Sequence, residues 1–350
     1  KTFLIAAFMV CSASAELRIS EFQAENLSTL EDEELNSPDW VEIENTGDSQ
    51  VDLAGYFLTD NRKKLDKWEF PSGIKAKAGA QVVVFASEKN QHTALTIFQQ
   101  SDPIKPTHTN FKLGFKGEYL ALVEPDGETV IHEYADEYPR QIGNVSYGID
   151  SAGELGYFKE PTPGEANGQS VPIGPFITDV VNVTGPPDVA TDNEVIITAE
   201  VIQNEFPVAK VDLIYRFMFG SESKTNMKDD GEAPDETADD GVYTAAIALS
   251  SIFGPQVDSG EMIRWRVEAE DDQGNEQRLP LFHDEENADE YFGTVAQDAS
   301  LESTKLPVIH WFIESPNAAN NDRGTKASVS YLGEFYDNIH VDIHGQSTRG

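Results

Sequence analysis

An aspartate-rich segment between residues 229 and 241 is the part of the sequence best suited to hold a cation. It contains five aspartates, which are Asp229, Asp230, Asp235, Asp239 and Asp240. Calcium takes about 6–8 oxygen ligands, and flexible acidic loops supply them. The spacing does not match the EF-hand loop, so no defined coordination geometry follows. Two interpretations therefore stay open: a calcium site, or a solvated acidic turn.

A second group that could ligate a metal lies near the C-terminal end, where His340, Asp342 and His344 alternate along one predicted strand. Side chains two residues apart share a face of a strand. Two imidazoles and a carboxylate can bind a transition metal. The residues between them are apolar, however, so we prefer a polar strand face opposite a buried one.

Other chemistry-bearing groups give weaker signals. Asp271, Asp272 and Asn275 are interpreted as a turn that ends a strand. The sequence contains no glycine-rich phosphate loop, nucleophile elbow or paired-cysteine metal motif. The residues alone therefore identify no complete enzyme active site.

The chain is strongly acidic, with 62 Asp and Glu against 25 Lys and Arg in 350 residues, for a formal charge of −37. Binding to a phosphate backbone or to an anionic membrane surface requires basic side chains. This charge excludes nucleic acid as a partner and disfavours such membranes. No segment after the first fifteen residues approaches the roughly 20 apolar residues of a transmembrane helix.

The first fifteen residues predict a signal peptide. Lys1 supplies positive charge, residues 3–10 are apolar, and the small residues at 13–15 provide a cleavage site. Cys11 is the only cysteine, so the mature protein is predicted to have no disulfide. We therefore expect a secreted, periplasmic or cell-surface protein, of bacterial type.

Residues 17–149 follow a pattern of short strands separated by turn residues, typical of a β-sandwich or barrel. Val41 and Ile43 alternate with glutamates at 42 and 44, which predicts a strand with one solvated face. The Pro-Asp-Gly sequence at 125–127 predicts a hairpin. Trp40 and Trp68 are interpreted as core residues.

This segment resembles the lamin-tail domain, an immunoglobulin-like sandwich, over residues 17–167. The motifs that carry the resemblance are ISEF at 19–22, DWVEIEN at 39–45, VDLAGYFL at 51–58, WEFP at 68–71, AGA at 78–80, FKL at 111–113 and PTPGEAN at 161–167.

A second β pattern follows a linker at residues 168–175. Val195, Ile197, Ala199 and Val201 share one predicted face, and residues 263–269 alternate between apolar and charged side chains. The stretch is similar to the immunoglobulin- or fibronectin-like spacer modules of bacterial exported proteins. Its motifs are MKDDG at 227–231, DDGVY at 239–243 and VEAEDDQGN at 267–275.

The last 45 or so residues change character again. GEFYDNI at 333–339 and HGQSTRG at 344–350 are similar to the opening of the CotH (spore-coat protein H) kinase-like family. The resemblance implies the start of an α+β kinase-like domain, whose ATP- and divalent-metal-binding residues would lie beyond residue 350.

The predicted fold class is therefore mainly β, with two tandem immunoglobulin-like β-sandwiches followed by the incomplete N-terminal part of an α+β kinase-like domain. The predicted boundaries are a signal peptide at 1–15, the lamin-tail domain at 16–167, a linker at 168–175, the second sandwich at 176–297 and the CotH-like segment at 305–350.

These features favour an exported modular binding or scaffold protein whose lamin-tail and spacer domains present or tether a downstream CotH-like domain. The expected partner is an unknown protein or a cell-surface or polysaccharide ligand. Two alternatives stay open: an exported CotH-type protein kinase, and a calcium-dependent adhesion protein. The export signal and the charge disfavour a role like that of nuclear lamins.

Overall fold

A computed structural model describes residues 17–91, 107–249, 257–286, 288–298, 306–321 and 323–342. The chain divides into two compact units, Lys1–Val171 and Pro172–Gly350. The described residues are almost entirely strands and turns, which confirms the mainly β fold class. In that part of the chain, no helix has the length and apolar character needed to cross a bilayer.

The first unit consists of short antiparallel strands. Their bounds are β1 (Leu17–Gln23), β2 (Asp39–Asn45), β3 (Val51–Asp52), β4 (Phe57–Thr59), β5 (Trp68–Glu69), β6 (Lys75–Ala76), β7 (Gln81–Ala86), β8 (Leu120–Val123), β9 (Val130–Tyr134), β10 (Ser146–Ile149) and β11 (Leu155–Phe158). They form a five-stranded sheet in the order β11-β10-β1-β2-β7, a four-stranded sheet in the order β5-β4-β8-β9, and the β3-β6 pair.

The main core of the first unit is built from apolar side chains of β1, β2, β4, β7 and β8. Trp68 belongs to this core and packs edge-to-face on Phe70, with ring centroids 4.9 Å apart. Trp40 lies in a separate buried cluster with Leu30 and Phe85, and its Nε1 donates a 2.7 Å hydrogen bond to the Gln23 side chain. Both tryptophans are therefore packing residues, as predicted.

The predicted hairpin is also present. Strands β8 and β9 pair around the turn, where the amide of Glu124 donates to the Thr129 carbonyl at 2.8 Å. Gly127 has φ +71° at this turn, a conformation that favours glycine because other residues pay a steric cost there.

The predicted solvated face of β2 is wrong at Glu42. This side chain is fully buried, and Glu44 is partly buried and paired with Arg18 at 2.7 Å. The reason is a long-range contact: the amide of Gly164 donates to Glu42 Oε2 at 2.7 Å, so the loop at 161–167 covers this part of the sheet. The alternation of apolar and polar residues along a strand cannot predict that a distant loop will pack over its polar face.

The second unit contains longer strands. Their bounds are β12 (Phe176–Asn182), β13 (Glu194–Ile202), β14 (Val208–Phe217), β15 (Ser223–Asn226), β16 (Val242–Ala248), β17 (Met262–Asp271), β18 (Glu276–Leu279), β19 (Phe292–Val295), β20 (Ile309–Ile313), β21 (Thr325–Tyr331) and β22 (Glu334–Val341), with a short helix α1 (Pro316–Ala319). The sheets have the orders β12-β13-β16, β15-β14-β17-β18 with β19 also on β17, and β20-β21-β22.

The period-2 pattern of this unit is confirmed. Val195, Ile197, Ala199 and Val201 of β13 are all buried in one core, together with apolar residues of β14, β16 and β17. Arg264 is an exception to the predicted alternation on β17, because it is also buried. Asp337 of β22 supplies its counter-charge: Arg264 Nη1 lies 3.0 Å from Asp337 Oδ1.

Candidate functional site

Four of the five aspartates of the predicted cation loop accept hydrogen bonds from backbone amides within the loop or directly after it. Asp229 accepts from the amides of Asp240 and Gly241 at 3.1 and 2.9 Å. Asp230 accepts from the Glu232 amide at 3.0 Å, and its carboxylate lies 3.2 Å from Lys228 Nζ.

Two of the other three members follow the same pattern. Asp235 is buried and accepts from the Gly231 amide at 2.6 Å. Asp239 lies in the left-handed region with φ +58°, and Asp240 accepts from the Val242 amide at 2.9 Å. These contacts explain how the loop closes. The calcium assignment stays a prediction.

The other two groups that the sequence suggested as possible metal ligands lie elsewhere in the second unit. Asp271 Oδ1 accepts from the amides of Gln273 and Asn275, both at 2.9 Å, which is the predicted strand-ending turn. His340 and Asp342 are exposed, and His344 lies outside the described residues.

A different cluster, formed by Asp32, Glu33 and His108, brings together three metal-ligating side chains. One potential ligand atom from each lies within 4.8 Å of the other two, the one such group found within the described ranges. Asp32 and Glu33 lie in the connection between β1 and β2, whereas His108 follows β7 along the chain. The residues on either side of His108 form backbone hydrogen bonds with Phe85 of β7. The Phe85 amide donates to the Thr107 carbonyl, and the Phe85 carbonyl accepts from the Thr109 amide, both at 2.8 Å.

His108 is held firmly on both ring nitrogens. Its Nε2 lies 2.9 Å from Glu33 Oε2, and its Nδ1 lies 2.9 Å from Ser87 Oγ. The imidazole stacks on Phe85, with centroids 5.3 Å apart and planes 23° apart. The His108 side chain is fully buried and that of Glu33 is 5% exposed. This orientation directs Nε2 at the Glu33 carboxylate.

Asp32 carries a fixed negative charge beside the imidazole. Its Oδ1 accepts from the amides of Glu34 and Asn36, and Lys89 Nζ lies 2.5 Å from its Oδ2. Burial opposes ionisation of Asp32, but the hydrogen bonds from Lys89 and the backbone outweigh it and lower the pKa of this carboxyl.

Sequence reasoning missed this cluster because its members are distant along the chain. Glu33 and His108 are separated by 75 positions. No local spacing motif links them, and the acidic run at 31–34 has the composition of a solvated loop. The fold brings them together by laying the segment at 107–109 along β7.

A second buried cluster surrounds Glu21 and Glu42, both fully buried. Ser20 Oγ lies 2.6 Å from Glu42 Oε1, and Thr162 Oγ1 lies 2.9 Å from Glu21 Oε2. Burial raises the pKa of Glu42 to about 8, and the neighbouring charge of Glu21 adds to this. Burial likewise raises the pKa of Glu21. Each carboxylate accepts hydrogen bonds from neighbouring residues, so we interpret this cluster as a structural one that joins the loop at 161–167 to the sheet.

Comparison with known proteins identifies one part of the chain. The family model of the Lamin Tail Domain matches residues 11–136. This range includes β1 to β9, and β10 and β11 extend the five-stranded sheet beyond it. The resemblances of residues 176–297 to spacer modules and of residues 305–350 to CotH proteins stay predictions.

Other comparisons add little. No curated protein matches the chain. The crystal structure of dimeric latent PorU from Porphyromonas gingivalis aligns with 95% of this chain and 30% of its own, at 9% identity and a TM-score of 0.22. The chain thus spans under a third of that protein, and a similarity of this size carries no argument. The family match identifies a lamin tail domain within residues 11–136.

Proposed function

We propose that this protein is an exported modular binding or scaffold protein, in which the lamin tail domain and the second sandwich present or tether a CotH-like domain that begins near residue 305. The match to the lamin tail family supports a modular architecture. A fold of this kind hosts many functions, so the specific role must come from a surface.

The observation that carries the proposal is an apolar face on the β20-β21-β22 sheet. Trp311 is 58% exposed and Ile309 60% exposed. Their register partners continue the same face: Ile309 pairs with Tyr331, and Val329, the partner of Trp311, pairs with Tyr336. Tyr331 and Tyr336 are exposed as well.

Such a face requires a partner because large contiguous apolar patches mark interaction surfaces. The opposite side of this sheet is already covered within the second unit, where Asp337 of β22 bonds to Arg264 of β17. We assign the exposed side to the following part of the CotH-like domain, which would pack on Ile309, Trp311 and Tyr336.

The coding sequence past Gly350 gives the first test. The proposal expects it to continue the CotH-like domain, and a sequence without one would overturn the assignment. Given such a domain, Ile309→Ser with Trp311→Ser should lower the melting temperature of the longer chain but not of the 350-residue chain. Leu332→Ser is the control, since Leu332 is exposed at the β21–β22 turn, away from the paired positions. Equal effects in both chains would contradict the proposal.

Tethering is tested separately. Deleting residues 16–167 from the longer protein and fractionating the culture should move the CotH-like part from the bound fraction to the free fraction. An unchanged distribution between cells and medium would count against a tethering role for the lamin tail domain.

A further inference from the structure

The cluster of Asp32, Glu33 and His108 has the composition and spacing of a metal site. His108 Nε2 and Glu33 Oε2 are 2.9 Å apart. Two ligands of a tetrahedral zinc ion with bonds of about 2.0–2.1 Å lie roughly 3.3 Å apart, so only a small adjustment would admit an ion between them. Asp32 completes the group, in which one ligand atom of each residue lies within 4.8 Å of the other two.

We propose that Asp32, Glu33 and His108 bind a divalent transition metal ion of the zinc type. One imidazole nitrogen and two carboxylate oxygens form a donor set that suits zinc and its neighbours better than calcium, which prefers six or more oxygens. Three protein ligands leave a fourth position for water. The ion would link the β1–β2 connection to the segment that follows β7.

The surroundings of His108 fit this role. In metal sites the second ring nitrogen of a ligating histidine is usually held by another polar group, which fixes the ring and directs the free nitrogen at the metal. Ser87 Oγ holds Nδ1 at 2.9 Å, and Phe85 stacks on the ring. The imidazole is therefore oriented before an ion arrives.

The ammonium group of Lys89 would compete with a metal ion for the Asp32 carboxylate. Its Nζ lies 2.5 Å from Asp32 Oδ2 and 3.0 Å from Glu34 Oε2. The ammonium group neutralises the carboxylates in the absence of a metal, and metal binding must displace it from Asp32. Its side chain is 24% exposed, so it can swing toward solvent while keeping its contact with Glu34. Removing Lys89 should therefore strengthen metal binding.

The test is titration of the 350-residue chain with Zn²⁺ by calorimetry and with Co²⁺ by visible absorption, since Co²⁺ reports coordination geometry. We expect one strong site. His108→Gln should weaken Zn²⁺ binding about 100-fold or more, and Lys89→Gln should tighten it severalfold. His132→Gln is the matched control, because His132 is a partly buried histidine of the same unit outside the cluster.

Each outcome decides the proposal. No binding to the wild-type chain, or equal binding by the wild type and His108→Gln, overturns it. If His108→Gln fails to fold, Glu33→Gln replaces it, and Lys89→Gln remains an independent check. A purely structural ion pair between Lys89 and Asp32 predicts that Lys89→Gln lowers stability without any change in Zn²⁺ affinity, and that result would also overturn the proposal.

Discussion

Glu42 and Gly164 are joined by a 2.7 Å hydrogen bond although 122 positions separate them in the sequence. The same loop bonds to Glu21, through both the amide and the hydroxyl of Thr162. The side chain of Asn167 then donates to the Ser20 carbonyl at 3.1 Å. Three of the motifs that carry the resemblance to the lamin-tail domain, at 19–22, 39–45 and 161–167, therefore form one hydrogen-bonded cluster.

This cluster explains why the motifs place the polar residues Glu21 and Glu42 at buried positions of the sheet. A buried carboxylate without partners is costly, because it loses its hydration. Glu21 and Glu42 tolerate burial since the closing loop supplies donors to both. The loop at 161–167 is in turn anchored to β1 and β2 through these two side chains and the Ser20 carbonyl. The polar contacts thus specify how the first unit closes.

Replacing Glu42 by glutamine should change how the stability of the first unit depends on pH. The pKa of Glu42 is about 8 in the fold against 4.5 in an unstructured chain, so the protonated acid suits the folded state. Its stabilising contribution is present below pH 4.5 and is lost as the pH rises through 8. At about 1.4 kcal/mol per pKa unit, the difference between 4.5 and about 8 corresponds to a loss on the order of 5 kcal/mol. Glu42→Gln keeps the length of the side chain and a carbonyl oxygen that can accept from the Gly164 amide, but carries no charge at any pH.

The variant should therefore match the wild type near pH 4 and exceed it near pH 9. Hydrogen exchange of the β1 and β2 amides measures the local free energy of opening at each pH. A constant difference between the two proteins across this range would show that Glu42 does not titrate as inferred.

Gly148 of β10 should not tolerate a side chain. A Cβ atom at this position would overlap the carbonyl oxygen of Ser20 and lie 2.8 Å from Glu21 Cα, because β1 and β10 approach closely beside the β1 bulge. We expect Gly148→Ala to cost at least about 2 kcal/mol. Gly168→Ala is the control, since nothing lies within 4 Å of its Cβ position, and it should change stability by under about 0.5 kcal/mol. Equal urea midpoints for the two variants would refute this reading of the packing.

Local periodicity predicted much of this fold. Alternating apolar residues identified the buried face of β13, and Pro-Asp-Gly located the β8–β9 hairpin, because both signals depend on neighbours in sequence. The same reasoning failed at Glu42 and Arg264, which occupy polar positions of alternating strands and are nevertheless buried. Their partners, Gly164 and Asp337, lie 122 and 73 positions away.

The candidate sites show the same limit. The acidic loop at 229–241 was visible because its charges are adjacent in sequence, whereas the Asp32–Glu33–His108 cluster exists only once the fold sets His108 beside β7. A run of acidic residues reports charge density. It does not report which oxygen atoms converge on one point, and convergence is what a metal ion requires.

The calcium prediction for the acidic loop has a direct thermal test. Bound calcium would stabilise the second unit by mass action, so its melting temperature should rise with calcium chloride but not with sodium chloride of equal ionic strength. Asp239→Asn combined with Asp240→Asn should abolish the rise, while Asp126→Asn, in a turn of the first unit, should leave it intact. An unchanged midpoint in the wild type would leave the solvated turn as the correct interpretation.

Asp337 should be essential to the second unit, because it is the counter-charge of a buried arginine. Its Oδ1 lies 3.0 Å from Arg264 Nη1, and its Oδ2 accepts from the Tyr291 amide at 3.1 Å. Asp337→Ala would remove the carboxylate that balances the charge of Arg264 and should cost about 3–5 kcal/mol. The exposed Glu334→Ala on the same strand is the control. Adding Arg264→Met to Asp337→Ala should recover part of the loss, since no unpaired charge remains. Urea unfolding measures the stability of each variant. If Asp337→Ala and the double variant were equally stable, the uncompensated charge of Arg264 would not be the cause of the loss.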